Sequence, residues 1–304
     1  MIIASDTVRA RCGASLLDRC LGALSRQVDA PFMEILVLYH PETEGIERLR
    51  RTYAGVTFLC IPYLKTFRLE GRNREHHDEL RKEGILASRG RIVAFLEDNE
   101  DPDPHWSASM VKAHAADVAA VGGAIEHVGS GALNWGVYFC DFGSYQPPFP
   151  ERDSKTVSDV NVSYKRAALE AIRPVWRESY YEPAVHEALL AAGYRIVLTP
   201  RVVVYQRRGP LRWNDALLER FIWGRSYGAN QRRRQLQRRP VWYALGFPLV
   251  PGLRLYRIAR NAVRQQRAAW EFLKSLPATA MLILSWSAGE FVGYWTAQTH
   301  AHRS

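Results

Sequence analysis

Cysteine is scarce in this chain: four among 304 residues, Cys12, Cys20, Cys60 and Cys140. They share no short ligand spacing and form no paired clusters. That excludes a zinc ribbon and argues against a disulfide framework in a chain this long. A reducing compartment is the expectation. No secretory signal is expected, because the short apolar start of MIIASDTVRARC breaks at Asp6. Internal repeats and low-complexity tracts are absent. A clean membrane-spanning run is also missing. VWYALGFPLVPGL (241–253) ends just before Arg254 after 13 residues, short of the roughly 20 that a spanning helix needs. PATAMLILSWSAGEFVGYW (277–295) is long enough but carries Glu290, a costly charge in hydrocarbon. A hairpin of the two would export the arginine-rich link between them, against the positive-inside bias.

What is present is ordinary globular composition with a basic excess. Hydrophobic residues make up 47% and charged ones 24%, so a sizeable core is possible and global disorder is excluded. The formal charge of +10 points to an anionic partner (nucleic acid, an acidic lipid surface or a phosphorylated substrate) or else to solubility alone.

FMEILVLYH (32–40), VTFLCIPY (56–63) and RIVAFL (91–96) read as short buried strands. Leu16, Leu17, Cys20, Leu21 and Leu24 share one helical face before them, and ETEGIERLRRTYAG between the first two has helical spacing. EPAVHEALLAAGYRIVLTPRVVVYQ reads as a helix stopped at Gly193, then a strand through 204. GSGALNWGVYFCDFGSYQPPFPERDSK reads as a long loop over a site. Strand and helix alternate, which predicts a parallel sheet with helices on both faces and ligands at the carboxyl ends of its strands. At one such end RIVAFLEDNEDPDPHW (91–106) passes into Glu97, Asp98, Asn99, Glu100 and Asp101. Four carboxylates in five positions repel one another unless something positive binds them. The alternative is a solvated acidic turn.

Taken in order, GILASRGRIVAFLEDNEDPDPHW, VNVSYKRAAL and YYEPAVHEALLAAGYRIVLTP resemble the family 2 glycosyltransferases of the GT-A fold. The closest likeness is to the branch with a Glu-Asp-His acidic motif and a later Glu-x-x-x-His-x-x-Leu. The resemblance covers about 1–210 and, more loosely, GEFVGY near the C-terminus. It implies an α/β catalytic domain over 1–210, with a mostly parallel central sheet flanked by helices, followed by a basic, apolar helical region over 211–304. It also implies a nucleotide-sugar donor, with Ala4, Ser5, Tyr39, Arg81, Glu97, Asp98 and Asn161 at donor positions, and Mg²⁺ or Mn²⁺ held at Asp98 and Asn99. A cation there neutralises charge building on the diphosphate as the glycosidic bond breaks, and oxygen ligands suit these ions.

Glu182 matches the family's catalytic base, which takes the acceptor hydroxyl proton in an inverting transfer. Pro183 suits a first helical turn, whose local field favours a carboxylate. A plain helix cap is the alternative, with Glu178 as a second candidate carboxylate. His186, one turn further on, orients Glu182, touches the acceptor or simply packs. Departures from the family pattern are Asn99 in place of an acid, Lys82 after Arg81 where Asn is usual, Tyr39 and His40 where an acid reads the nucleoside, and Pro183.

Within 252–276, Arg254, Arg257, Arg260, Arg264 and Arg267 recur in steps of three and four, with Leu255, Ile258, Ala262, Ala269 and Phe272 mostly opposite. That is the pattern of a helix lying on an anionic membrane surface, or of an ordinary surface helix packed on the domain. Trp242, Trp286 and Trp295 suit the interface. QRRRQLQRR (231–239) could hold nucleic-acid phosphates, but no stacking platform accompanies it, so nucleic acid ranks last. Gln231 and Arg234 match the start of the Gln-x-x-Arg-Trp motif of processive synthases, and Gln235 breaks it. The expectation is a metal-dependent, inverting, single-sugar transferase on the cytoplasmic face of the membrane. Its acceptor is a lipid-linked or cell-surface glycan, in cell-envelope polysaccharide synthesis. A catalytically degenerate GT-A module serving as a membrane-bound scaffold is the other reading.

Overall fold

The computed structural model describes residues 2–4, 14–64, 75–234, 247–265 and 268–296. They fall into two units, one within Met1–Phe67, Glu75–Val128 and Tyr145–Gly209, the other within Gly129–Ser144 and Pro210–Ser304. In the first, short apolar runs form strands because their side chains can fill both faces of a covered sheet. β1 (Ile2–Ala4) lies parallel to and between β2 (Ile35–Tyr39) and β4 (Ile92–Glu97), with Ala4 opposite Leu38 and Glu97. β3 (Val56–Cys60) is the edge beside β2. Beyond β4 come β8 (Val162–Lys165), β6 (Ala120–His127), β9 (Ile196–Gln206) and β5 (Glu100–Pro102), with β7 (Arg152–Asp153) also on β9.

Four ladders are parallel and four antiparallel among the described residues. The sheet is therefore mixed, with β3, β2, β1 and β4 forming the parallel run that the sequence predicted and the antiparallel pairs confined to β8, β5 and β7. A parallel neighbour needs a crossover, usually a helix. Between β6 and β8 the one long helix, α5 (Ala132–Asp141), belongs to the other unit, and β8 pairs antiparallel on both sides.

Helices α1 (Ser15–Ser25), α2 (Ile46–Thr52), α3 (Glu75–Ala87), α4 (Trp106–Ala113), α6 (Arg166–Ala171), α7 (Arg173–Trp176) and α8 (Glu182–Ala191) complete this unit. Leu36, Phe95, Val162, Trp176, Leu189 and Leu198 share its buried cluster. Pro183 lies in the first turn of α8, and Gly193, at φ 81°, follows its end. That left-handed position closes a helix and suits glycine.

The segment expected as a long loop contains α5. Its Gly and aromatic content hides Leu133, Val137 and Cys140, spaced one helical turn apart, which pack with Ala216 and Leu282. Buried Arg220 pairs with Asp141 on its C-terminal turn. The second unit also contains α9 (Trp213–Arg234), α10 (Val250–Gln265) and α11 (Ala269–Thr296). The helix expected over 252–276 is therefore two helices. The second continues through Pro277 and the whole apolar stretch. Residues 241–246 of the first apolar stretch, with Trp242, and Arg267 lie outside the described residues.

Gly224 and Gly228 on α9 face Gly289 and Gly293 on α11. A Cβ at any of the four would overlap a carbonyl oxygen of the opposite helix, at Trp286, Glu290, Phe221 or Arg225. Two Gly-x-x-x-Gly repeats thus bring two backbones into contact within one chain. On α10 the apolar side turns inward, with Ala262 buried and Leu255 and Ile258 half-buried. Arg254 donates to Glu290 at 2.6 Å and stands over the Trp286 ring. Among the described residues, no helix is long and apolar enough to cross a membrane.

Candidate functional site

The acidic turn after β4 is relieved one side chain at a time. Arg81, on α3 and only 1% exposed, donates to Glu97 at 2.9 Å and to Asp159 at 2.7 Å, and lies 3.5 Å from Asp78. Burial alone would favour a neutral guanidine, but the three carboxylates outweigh it and hold Arg81 charged. His77 Nδ1 stands 3.8 Å from the same Glu97 oxygen. Asp101 is bound by Arg19 at 2.7 Å and by Arg207. Glu100 is fully buried and accepts from the Glu97 amide at 3.1 Å. Burial, then the Glu97 charge, push its carboxyl well above the ordinary value of 4.5. Of the four acids, Glu100 is pushed toward its neutral form by burial, two are paired with arginine, and Asp98 is buried at 7% exposure.

A test of Glu100 follows. Its folded-state acidity is displaced upward, so its contribution to stability is complete below the unfolded value and disappears as pH rises through the folded value. Each unit of displacement corresponds to about 1.4 kcal/mol. Glu100→Gln is neutral throughout and should match wild type at pH 4 and melt several degrees higher at pH 8 (roughly 4 °C per kcal/mol or less at this size). Thermal melts by circular dichroism measure it. A lower melting point for the variant at pH 8 would mean that Glu100 is ionised there and held by a cation.

Asp98 and Asn99 bring a carboxylate and an amide oxygen to this edge. The Asn99 Oδ1 is buried with no hydrogen-bond partner, while its main-chain carbonyl accepts from the Arg207 amide at 2.8 Å. Among the described residues no three His, Cys, Asp or Glu side chains converge as a metal cage. One carboxylate and one amide oxygen fit a Mg²⁺-like ion that completes its shell with substrate phosphates and water. Ala4 reaches the same edge through its register with Glu97, whereas Ser5 lies outside the described residues.

Tyr39 ends β2 with its hydroxyl accepting from Arg50 at 2.8 Å and its ring buried, so it forms a wall and offers no open stacking face. His40 accepts from the Glu42 amide through Nδ1 at 3.3 Å. Asn161, expected beside the donor sugar, is 0% exposed. Its amide donates to the Ala124 and Val202 carbonyls at 2.9 and 3.0 Å, and its oxygen accepts from Trp106 Nε1 at 2.9 Å. In this position it joins β6, β9 and α4. A buried amide must be satisfied inside the fold, and here both its hydrogens and its oxygen are.

Glu182 opens α8 at 8% exposure, and His186, fully buried, brings Nδ1 to 3.4 Å from its Oε1. On the other side His186 Nε2 is 2.9 Å from the Tyr164 hydroxyl, itself 3.2 Å from that of Tyr180. Burial, then the nearby Glu182 charge, raise the Tyr164 phenol. Burial, then Tyr164 and Glu182, raise Tyr180. Both phenols also feel Arg81, so the two clusters lie side by side. Reading the sequence missed Asp159, Asp78, Tyr164 and Tyr180. Tyr164 and Tyr180 lay within quoted motifs without being singled out, and nothing local marks Asp159 and Asp78.

No family model matches this chain and no curated protein matches its sequence. Among solved structures, the mannosyltransferase PcManGT from Pyrobaculum calidifontis, in complex with GDP-Man and Mn²⁺, matches 95% of this chain and 86% of its own, with TM-score 0.53 at 16% identity. S. aureus TarS 1-349 matches 94% and 90%, with TM-score 0.46 at 12% identity. The fold is that of GT-A glycosyltransferases. At these identities the likeness speaks to the fold and not to the chemistry.

Proposed function

We propose that this chain transfers a single sugar, with inversion, from a nucleotide-sugar donor to an acceptor hydroxyl. The observation that carries the proposal is the carboxyl edge of β4 in a GT-A sheet. There, Arg81 anchors Glu97, Asp98 is buried, and the Asn99 Oδ1 is buried with no hydrogen-bond partner. Glu182 acts as the base, accepting the acceptor proton as the hydroxyl attacks the anomeric carbon. Asp98 and Asn99 would hold Mg²⁺ or Mn²⁺, which when bound neutralises charge on the departing diphosphate. The Mn²⁺ and GDP-Man of the structurally similar mannosyltransferase support this choice.

Calorimetric titration of the full chain with GDP-mannose and with UDP-N-acetylglucosamine, in Mn²⁺ or in EDTA, is the test. Binding of at least one donor is expected, and only with metal. Asp98→Ala should abolish the metal-dependent part, while Asp101→Ala, already paired with two arginines, should retain it. No binding of either donor by folded protein, or equal losses from both substitutions, would overturn the assignment.

The acceptor side is proposed to be a lipid-linked glycan at an anionic, cytoplasmic membrane face. On α11, Trp270, Leu273, Met281, Leu284 and Trp295 are exposed along one stripe, and on α10 Leu253, Tyr256 and Val263 are exposed among Arg257 and Arg260. Exposed apolar side chains with interleaved cations fit a bilayer interface. Each cation near anionic lipid contributes about 1 kcal/mol, screened by salt. Flotation with phosphatidylglycerol-rich vesicles should capture the protein, and high salt should release only a fraction. The double variant Trp270→Glu, Leu284→Glu should lose the salt-resistant part. Full-length protein left behind by these vesicles at low salt would rule out attachment.

A further inference from the structure

Glu182 is part of a buried chain of polar groups that extends away from the surface. His186 links it to Tyr164, and Tyr164 to Tyr180, at 3.4, 2.9 and 3.2 Å. Three elements supply these groups: α8, β8 and the segment before α8. The Phe95 ring on β4 lies edge-on to both tyrosines, with centroids 5.8 and 5.4 Å away. Tyr164 is pinned in the sheet between Val93 and Ala120. The charged groups that act on the tyrosines are Glu182 itself, Arg81 on α3 and, for Tyr164, Asp159.

Hydrogen-bond logic gives this chain a direction. His186 Nδ1 lies at ion-pair distance, 3.4 Å, from Glu182 Oε1 and makes no hydrogen bond to it, and a carboxylate so near favours a proton on the nitrogen that faces it. In a neutral imidazole Nε2 is then an acceptor, and the Tyr164 hydroxyl must donate to it. The Tyr164 oxygen in turn accepts from Tyr180. Reversing either of the two hydrogen-bonded links would put two lone pairs or two protons face to face between buried groups, where an unsatisfied group is costly.

We propose that Tyr164 and Tyr180 are positioning residues for the base. They hold His186 as the Nδ1–H tautomer, which fixes one oxygen of Glu182 and leaves the other to receive the acceptor proton. This rests on the reading of Glu182 as the base. No proton travels along the chain. The acceptor proton stops at Glu182 as the new glycosidic bond forms and the diphosphate leaves.

The tautomer can be read without any substrate. Full-length protein labelled with ¹⁵N-histidine is compared with His186→Gln to assign the His186 ring signals, and its long-range ¹H–¹⁵N pattern reports which nitrogen is protonated. Wild type should show Nδ1–H with Nε2 unprotonated. Tyr164→Phe, which removes only the donated hydroxyl, should shift the pattern toward a mixture of tautomers, and Tyr180→Phe should shift it less. In single-turnover assays with the donor identified by the titration above, Tyr164→Phe should lower the transfer rate about tenfold, the scale of one buried hydrogen bond, with donor affinity unchanged.

A wild-type Nε2–H tautomer, or a pattern unmoved by Tyr164→Phe, overturns the proposal while leaving Glu182 as base untouched. The expected tautomers together with a fully active Glu182→Gln overturn the reading of the base, and the positioning role falls with it. Should Tyr164→Phe fail to fold, the Tyr180→Phe spectrum decides the point.

Discussion

Replacing Glu182 with Gln is expected to lower sugar transfer by about 10² to 10⁴-fold, the range a positioned general base supplies. The substitution keeps the shape of the side chain beside His186 Nδ1. It removes the only property the mechanism needs, a basic carboxylate at the first turn of α8. Folding and donor binding should be unchanged, because Gln keeps the size of a side chain that sits 3.4 Å from His186 Nδ1, and the donor edge is built from Arg81, Glu97, Asp98 and Asn99. Turnover at saturating donor and a melting curve, taken on the same sample, separate these effects. A variant that transfers sugar at the wild-type rate would remove Glu182 from the mechanism. Equal complementation of a deletion strain by both proteins would favour the scaffold role.

The second large effect concerns stability. Arg81→Met should destabilise the fold by about 3–5 kcal/mol, the cost of removing one partner from a buried ion cluster. Methionine fills a similar volume but leaves Glu97, Asp159 and Asp78 facing one another with side-chain exposures of 17, 9 and 10%. Urea titrations at pH 7 measure the loss. The sign of its pH dependence is a further check. In the variant the three acids are displaced upward by burial and mutual repulsion, so stability should recover as pH falls and they protonate. Arg81→Lys keeps the charge without the two-pronged geometry and should fall between wild type and Arg81→Met. A loss for Arg81→Met below 1 kcal/mol would mean that the cluster is relieved by some other group.

Local signals in the sequence correctly marked the pieces of this chain that depend only on their neighbours. The apolar runs at 35–39 and 92–97 became β2 and β4 because a continuous run of large apolar residues can be satisfied only inside a covered sheet. Pro183 and Gly193 framed α8 because each tolerates a backbone state that other residues resist. The position of the acids after β4 was legible for the same reason, since a strand ends where its burial ends. The local signal failed at α5, where aromatic and glycine content outweighed three apolar positions one turn apart.

What those acids do was decided by tertiary structure alone. Glu97, Asp98, Glu100 and Asp101 look equivalent in sequence, yet one is held by an arginine 16 residues away and another is pushed toward its neutral form by burial. Asp101 is tied to arginines 82 and 106 positions distant. Asn161 matched a motif for ligand contact and instead closes three buried hydrogen bonds. The Tyr164–His186 contact spans 22 residues, and the glycine repeats on α9 and α11 meet across more than sixty positions. Sequence sets the backbone preference and chemical type of each residue through short-range sterics and polarity. Which charges and polar groups find partners, and which remain for a ligand, depends on contacts between distant segments that exist only once the chain is packed.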